Sequence, residues 1–245
     1  MPHLCSQDRQ WLSNAWLVWD DENGQAVLVD TGAPLAPLLA ALETHGLRLA
    51  AVLTTHRHHD HVAGNDAAAR LGAGILAHPI EAPHVLGAKA VEPESVHTFG
   101  GLQARLVPLP GHTAGHAGWW IEGTGLFTGD ALFRGSIGGT VGPGASGFAD
   151  QRASLERILA YPAGTVLLPG HGPETTVGLE RDANPLARAV LGLESTESRA
   201  ARALGRPARV LRVARDYDGG TKAWVRFEDD GTDAIVPGSR VEFPE

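Results

Sequence analysis

The densest potential for chemistry lies in seven consecutive residues, Thr55-His56-Arg57-His58-His59-Asp60-His61. Imidazoles at 56, 58 and 61 and a carboxylate at 60 follow directly on the apolar run Ala51-Val52-Leu53, which reads as the end of a buried strand. Side chains at 56 and 58 share a face while 60 and 61 turn away, a spacing that suits two adjacent ions better than one. Imidazole and carboxylate donors without a thiolate suit zinc, iron or manganese, and zinc is the first expectation.

Three more candidates stand in separate glycine-bearing turns: His112 in Pro110-Gly111-His112-Thr113-Ala114-Gly115-His116, Asp130 in Thr128-Gly129-Asp130, and His171 in Pro169-Gly170-His171-Gly172-Pro173. Seven candidates divide naturally, with His56, His58 and His112 for one divalent ion, Asp60, His61 and His171 for a second, and Asp130 between them. Three neutral imidazoles leave an open coordination position, as a catalytic site requires. Two ions roughly 3.5 to 4 Å apart lower the pKa of a shared water toward about 7. The expected nucleophile is therefore a metal-bridging hydroxide oriented by Asp60 and Asp130, and no Ser, Cys or Lys nucleophile is needed. His116 is expected beside the ligands rather than among them, and His59 toward solvent. Asp30, in Asp30-Thr31-Gly32, reads either as a turn carboxylate or as the partner of a metal-bound histidine.

The surrounding pattern supplies the strands that must deliver these groups. Residues 15–19 and 25–30 are apolar strands joined by a turn with Asn23-Gly24, and 35–45 has helical spacing with a stop at Gly46. Strands are expected at 49–55, 74–77, 102–109, 119–121, 125–128 and 165–168, and helices at 65–71, at 151–161 behind an Asp150 cap, and at 180–191 with an interruption at Pro185. Four of these strands finish in a turn carrying His or Asp, which brings ligands distant in sequence to one edge of a sheet. The loop 135–147, with six glycines, reads as a mobile rim or a plain connection.

Composition narrows the function. A chain of 245 residues that is 43% hydrophobic fits one α/β domain with a small appendage. The net charge of −8, with no block of like charges, gives no support to nucleic-acid or membrane-surface binding, so a small-molecule substrate is expected. Cys5 is the single cysteine, which excludes an internal disulfide and a thiolate cluster. The polar first ten residues and the lack of a long apolar run point to the reduced cytoplasm. Residues 1–193 are read as the catalytic domain, 194–207 as a polar connector, and 208–245 as a small β-barrel-like segment of alternating strands. Eight basic and eight acidic residues between 200 and 245 cancel, so the whole net charge belongs to the rest. A lid or a homodimer contact is the expected role of that segment.

The motifs Thr-His-x-His-x-Asp-His at 55–61, Pro-Gly-His-Thr-x-Gly-His at 110–116, Thr-Gly-Asp at 128–130 and Pro-Gly-His-Gly-Pro at 169–173 resemble the metallo-β-lactamase superfamily. The likeness is greatest to its glyoxalase II-like (hydroxyacylglutathione hydrolase-like) branch and covers residues 12 to about 190. It implies an αββα four-layer sandwich with two metals at one edge, and hydrolysis of a small thioester or ester. A mononuclear iron persulfide dioxygenase using the equivalents of His56, His112 and Asp130 is the alternative within the same superfamily, and a lactonase a further one. The branch carries an arginine where Gly139 stands and a helical, basic C-terminal segment where this chain ends in strands, so glutathione specificity does not carry over.

Overall fold

The computed structural model describes residues 1–244. Six strands build the first sheet: β1 (His3–Gln7), β2 (Asn14–Asp20), β3 (Gln25–Val29), β4 (Arg48–Leu53), β5 (Gly74–Ala77) and β6 (Ala88–Ala90). The first three pair antiparallel and the rest parallel. In the second sheet β7 (Val96–Phe99), β8 (Leu102–Pro108), β9 (Ala117–Ile121) and β10 (Gly125–Gly129) run as an antiparallel meander. A two-stranded hairpin, β11 (Leu132–Phe133) and β12 (Ser136–Ile137), leaves that sheet before β13 (Val166–Pro169) returns parallel to β10 and β14 (Thr175–Thr176) closes the edge.

Alternation along β2 sorts the layers. Trp16 and Val18 face the second sheet, packing with Leu53, Leu106, Trp119 and Phe127. Ala15, Leu17 and Trp19 face the other way, under the helices α1 (Ala36–His45) and α3 (Asn65–Arg70), where Leu38, Leu42 and Ala68 cover them. Because both faces are covered, the whole of β2 is buried. On the outer face of the second sheet Leu109, Leu126 and Leu167 meet Leu155 and Ile158 of α4 (Phe148–Leu159), Val177 of α5 (Val177–Ala183) and Leu186 of α6 (Pro185–Val190). The result is the helix–sheet–sheet–helix sandwich expected above, and no helix is long and apolar enough to cross a membrane among the described residues.

The C-terminal strands β15 (Arg199–Ala203), β16 (Arg206–Arg215), β17 (Thr221–Phe227), β18 (Asp233–Pro237) and β19 (Val241–Glu242) form a separate antiparallel sheet, ordered β18-β17-β16-β15-β19. Two expectations change here. The sheet begins at Arg199, inside the stretch 194–207 read as a connector, because Arg199–Ala203 pairs with β16 residue for residue. Its end strands β18 and β19 are not paired to each other among the described residues, so it is an open sheet rather than a closed barrel. A register shift between Val210 and Arg212 sets Leu211 against the main domain, where it joins Trp224 and Ile235 in the cluster around α4 and α6, while Val210 and Val225 fill the sheet's own small core.

Helix α4 also starts earlier than expected. Its N-cap is Gly147, at φ 107°, and Asp150 lies in the first turn, where its charge complements the helix N-terminus without capping it. Trp224, 8% exposed and stacked on Phe148 with ring centroids 5.2 Å apart, joins the C-terminal sheet to α4. We expect Trp224→Ala to cost about 3–5 kcal/mol by emptying that contact. Thermal unfolding followed by circular dichroism should show one transition at lower temperature, since the sheet and the sandwich share a core; a second transition, with the sandwich melting as before, would show that they fold apart.

Candidate metal centre

Strand β4 delivers the first group. After Leu53 the chain turns through buried Thr54, Thr55 and His56, and the short helix α2 (His59–Val62) presents Asp60 and His61 from its first turn. The loop after β8 brings His112, the end of β10 brings Asp130, and the end of β13 brings His171. Close backbone approach makes this convergence sterically demanding. A Cβ at Gly170 would collide with Asp130 Oδ1 and His61 Cε1, and one at Gly32 would collide with the backbone of Asp60.

All seven candidate residues point to a common region. His56 Nε2 and His112 Nε2 lie 3.0 and 2.9 Å from His58 Nδ1. His61 Nε2 lies 3.3 Å from His171 Nε2, and Asp60 Oδ2 is 3.6 and 3.5 Å from those two atoms. Asp130 stands between the sets: Oδ1 is 3.4 Å from His61 Nε2, and Oδ2 is 3.5 Å from His112 Nε2 and 3.4 Å from His171 Nε2. The ligand atoms of His56, His58 and His112, and those of Asp60, His61 and His171, each fall within 4.8 Å of one another.

Hydrogen bonds on the far side of the rings decide which nitrogen carries the lone pair. Asp30 sits at φ 56°, an uncommon conformation for a residue with a side chain, and its carboxylate accepts from Thr55 N–H at 2.8 Å, Thr55 Oγ1–H at 2.7 Å and His61 Nδ1–H at 2.8 Å. With its proton donated to Asp30, Thr55 Oγ1 accepts from His56 Nδ1–H at 3.0 Å. His112 Nδ1–H donates to Gly139 O at 2.8 Å and His58 Nε2–H to Pro143 O at 3.1 Å. Three lone pairs, on His56 Nε2, His58 Nδ1 and His112 Nε2, are thereby turned toward one another at hydrogen-bond distance with no proton to share. Only a cation makes that arrangement favourable. Buried Asp130 Oδ1 likewise has no donor, a costly omission unless an ion takes it. Nitrogen and carboxylate donors of this kind fit a divalent transition metal.

His116 takes no such position. Its Nε2 accepts the backbone N–H of Asp130 at 2.9 Å, so it holds the strand end that carries Asp130. His59 is exposed. The loop 135–147, expected as a mobile rim or a plain connection, is pinned: Thr140 exchanges hydrogen bonds with Ile235, Lys222 Nζ donates to Ile137 O at 2.9 Å, and Ser136 Oγ donates to Asp216 at 2.8 Å. Sequence reasoning missed Phe133 and Tyr217, whose rings pack on His171. No local pattern marks them, since Tyr217 arrives from the C-terminal sheet.

A cleft of about 690 Å³ runs beside the centre between the β1–β2 hairpin and Tyr217, lined by Cys5, Gln7, Asn14, Trp16, Gly172 and Glu174 among others. No lysine or arginine lines it.

The sequence profile described as the metallo-beta-lactamase superfamily matches residues 8–171. The chain belongs to the metallo-β-lactamase superfamily. A relative named hydroxyacylglutathione hydrolase, from Chromohalobacter salexigens, is 34% identical over 210 residues, covering 82% of this chain and 78% of that one. Among solved structures, a protein crystallised in a di-iron-bound form is 34% identical with a TM-score of 0.65, covering 75% of this chain and 99% of its own. ETHE1 from Myxococcus xanthus is 26% identical with a TM-score of 0.67, covering 78% and 85%.

Electrostatics separates the two ligand sets. Burial drives His56 well below its ordinary value and His112 down to about 4, so both offer neutral rings at any physiological pH. Burial also opposes a charge on His61, but Asp130, the Asp30 hydrogen bond and Asp60 outweigh it and hold His61 up at about 9. An ion entering the Asp60, His61 and His171 set must displace that proton. Its apparent affinity should therefore fall about tenfold per pH unit below about 9, whereas His56 and His112 hold no proton for an ion to displace between pH 6 and 8. Calorimetric zinc titrations across that range check this, and equal slopes at both sets would contradict the assignment.

Proposed function

We propose that this member of the superfamily is a dinuclear metal-dependent hydrolase of a small thioester or ester. The observation that carries the reading is the pair of converging ligand sets with Asp130 between them. His56, His58 and His112 would hold one ion and Asp60, His61 and His171 the other, with zinc as the first expectation and iron or manganese as alternatives. Divalent ions held there supply Lewis acidity, which makes a water acidic near neutral pH and polarises a carbonyl oxygen.

The protein's own part is orientation and proton handling. Asp60, with 19% of its side chain exposed against 8% for Asp130, faces the opening and is placed to orient the attacking water and hold its proton. Asp30, through Thr55 and His61, keeps two imidazoles in the tautomer that presents a lone pair inward. The water oxygen bonds to the carbonyl carbon, the acyl C–S or C–O bond breaks, and the thiolate or alkoxide departs toward the cleft beside His171. Glutathione would bring two carboxylates to that cleft, whose lining offers no lysine or arginine, and Arg57, on the His58 side of the centre, is held by Glu81 in a bidentate pair at 2.7 and 3.1 Å. A less charged thiol or alcohol fits better. Asp60, His61 and His171 supply a full second ligand set, which favours this reading over a one-iron dioxygenase.

Elemental analysis alongside a thioester, lactone, β-lactam and glutathione persulfide panel tests it. Two ions per chain and thioester or ester turnover are expected; one iron per chain with oxygen uptake on the persulfide would replace the proposal with the dioxygenase. Asp130→Ala should release both ions and lower kcat/KM by roughly a thousandfold, about 4 kcal/mol. His116→Ala, which loosens only the strand end under Asp130, should cost about ten- to a hundredfold. Equal loss of metal in both variants would place His116 among the ligands.

A further inference from the structure

His171 is held differently from the other imidazoles of the centre. His56, His58, His61 and His112 each fix their outward nitrogen with a hydrogen bond, whereas His171 Nδ1 is buried and has no partner. Two aromatic rings take over the work of orientation. Tyr217 stacks on the imidazole with centroids 4.3 Å apart and planes 18° from parallel, and Phe133 meets it edge-on at 5.6 Å and 85°. Phe133 belongs to the sandwich, while Tyr217 belongs to the turn between β16 and β17 of the C-terminal sheet.

That turn is itself built into the site. Asp216 Oδ1 accepts from Ser136 Oγ–H at 2.8 Å and from the backbone N–H of Tyr217 at 2.9 Å. Lys222, only 8% exposed, pairs with Asp216 Oδ2 at 3.2 Å, donates to Ile137 O, and lies 4.6 Å above the Phe133 ring and 5.1 Å above that of Tyr217. A buried lysine, a carboxylate and a main-chain carbonyl of the sandwich thus fix one exposed turn so that its aromatic residue faces a ligand histidine.

We propose that Tyr217 is a positioning residue for His171, so that the C-terminal sheet is a working part of the second metal position rather than an attached module. The inference rests on the two-ion reading above. The ring does the positioning, because the phenol forms no hydrogen bond among the described residues, so Tyr217→Phe should preserve it and Tyr217→Ala should not.

Titration of the metal-free full-length chain with cobalt(II), followed by its visible absorption, reads the two positions separately. Wild type and Tyr217→Phe should take two ions alike. Tyr217→Ala should keep the first affinity and lose roughly ten- to a hundredfold in the second. A second affinity unchanged in Tyr217→Ala, or one lost equally in Tyr217→Phe, overturns the proposal. Should wild type take only one ion, the two-ion reading fails while the positioning claim is still decided by NMR relaxation of the His171 Cδ2–Hδ2 bond. Faster ring motion in Tyr217→Ala than in wild type and Tyr217→Phe supports it; a ring equally rigid in all three overturns it. Circular dichroism of each variant identifies any that fails to fold, and Tyr217→Leu then replaces Tyr217→Ala.

Discussion

Everything at this centre depends on where four imidazole protons point. Each of His56, His58, His61 and His112 gives its outer N–H to a fixed acceptor, which leaves the inner nitrogens of His56, His58 and His112 with lone pairs aimed at a shared point and that of His61 with the proton an ion must displace. Such an arrangement is unfavourable by itself, and the sandwich around it supplies the free energy that keeps it assembled. The acceptors are as informative as the ligands. One is the carboxylate of Asp30, one the hydroxyl of Thr55, and two are main-chain carbonyls of the glycine-rich loop, Gly139 and Pro143. A binding site is thus specified by oxygen atoms that never touch what is bound.

Asp30 shows how local strain is repaid. Its left-handed backbone turns the carboxylate back over the end of β4, where three donors reach it. The cost of such a conformation is on the order of 1–3 kcal/mol, comparable to what charge-assisted hydrogen bonds return. Read from the sequence as a turn carboxylate or the partner of a metal-bound histidine, Asp30 accepts from His61 Nδ1–H, and its backbone conformation aims it there.

The candidate ligands were legible because each follows an apolar run, and the ends of strands in two facing sheets meet at one edge of the sandwich. The elements that sequence misjudged were those whose reason is remote. Arg199–Ala203 has helix-forming Ala and Arg but becomes a strand because β16 offers it a pairing edge. The polar β1, with a mostly exposed pattern, carries no hydrophobic periodicity to announce it, and is a strand because β2 needs a neighbour. Asp150 looks like a cap by type, yet the chain enters α4 through the positive φ of Gly147, three residues earlier. Tyr217 is the same lesson at the site: nothing within ten residues of it hints at His171, and only the folding of the C-terminal sheet onto α4 and α6 brings them together.

The hydrogen-bond exchange between Thr140 and Ile235 has a consequence for biosynthesis. Gly139 O, which fixes the tautomer of His112, lies beside Thr140, and Ile235 is translated after His171, the last of the candidate ligands. A nascent chain still on the ribosome can expose every donor atom before the brace that orients them exists. The final orientation of His112 therefore waits for β18 as well as for the strands that carry the donors.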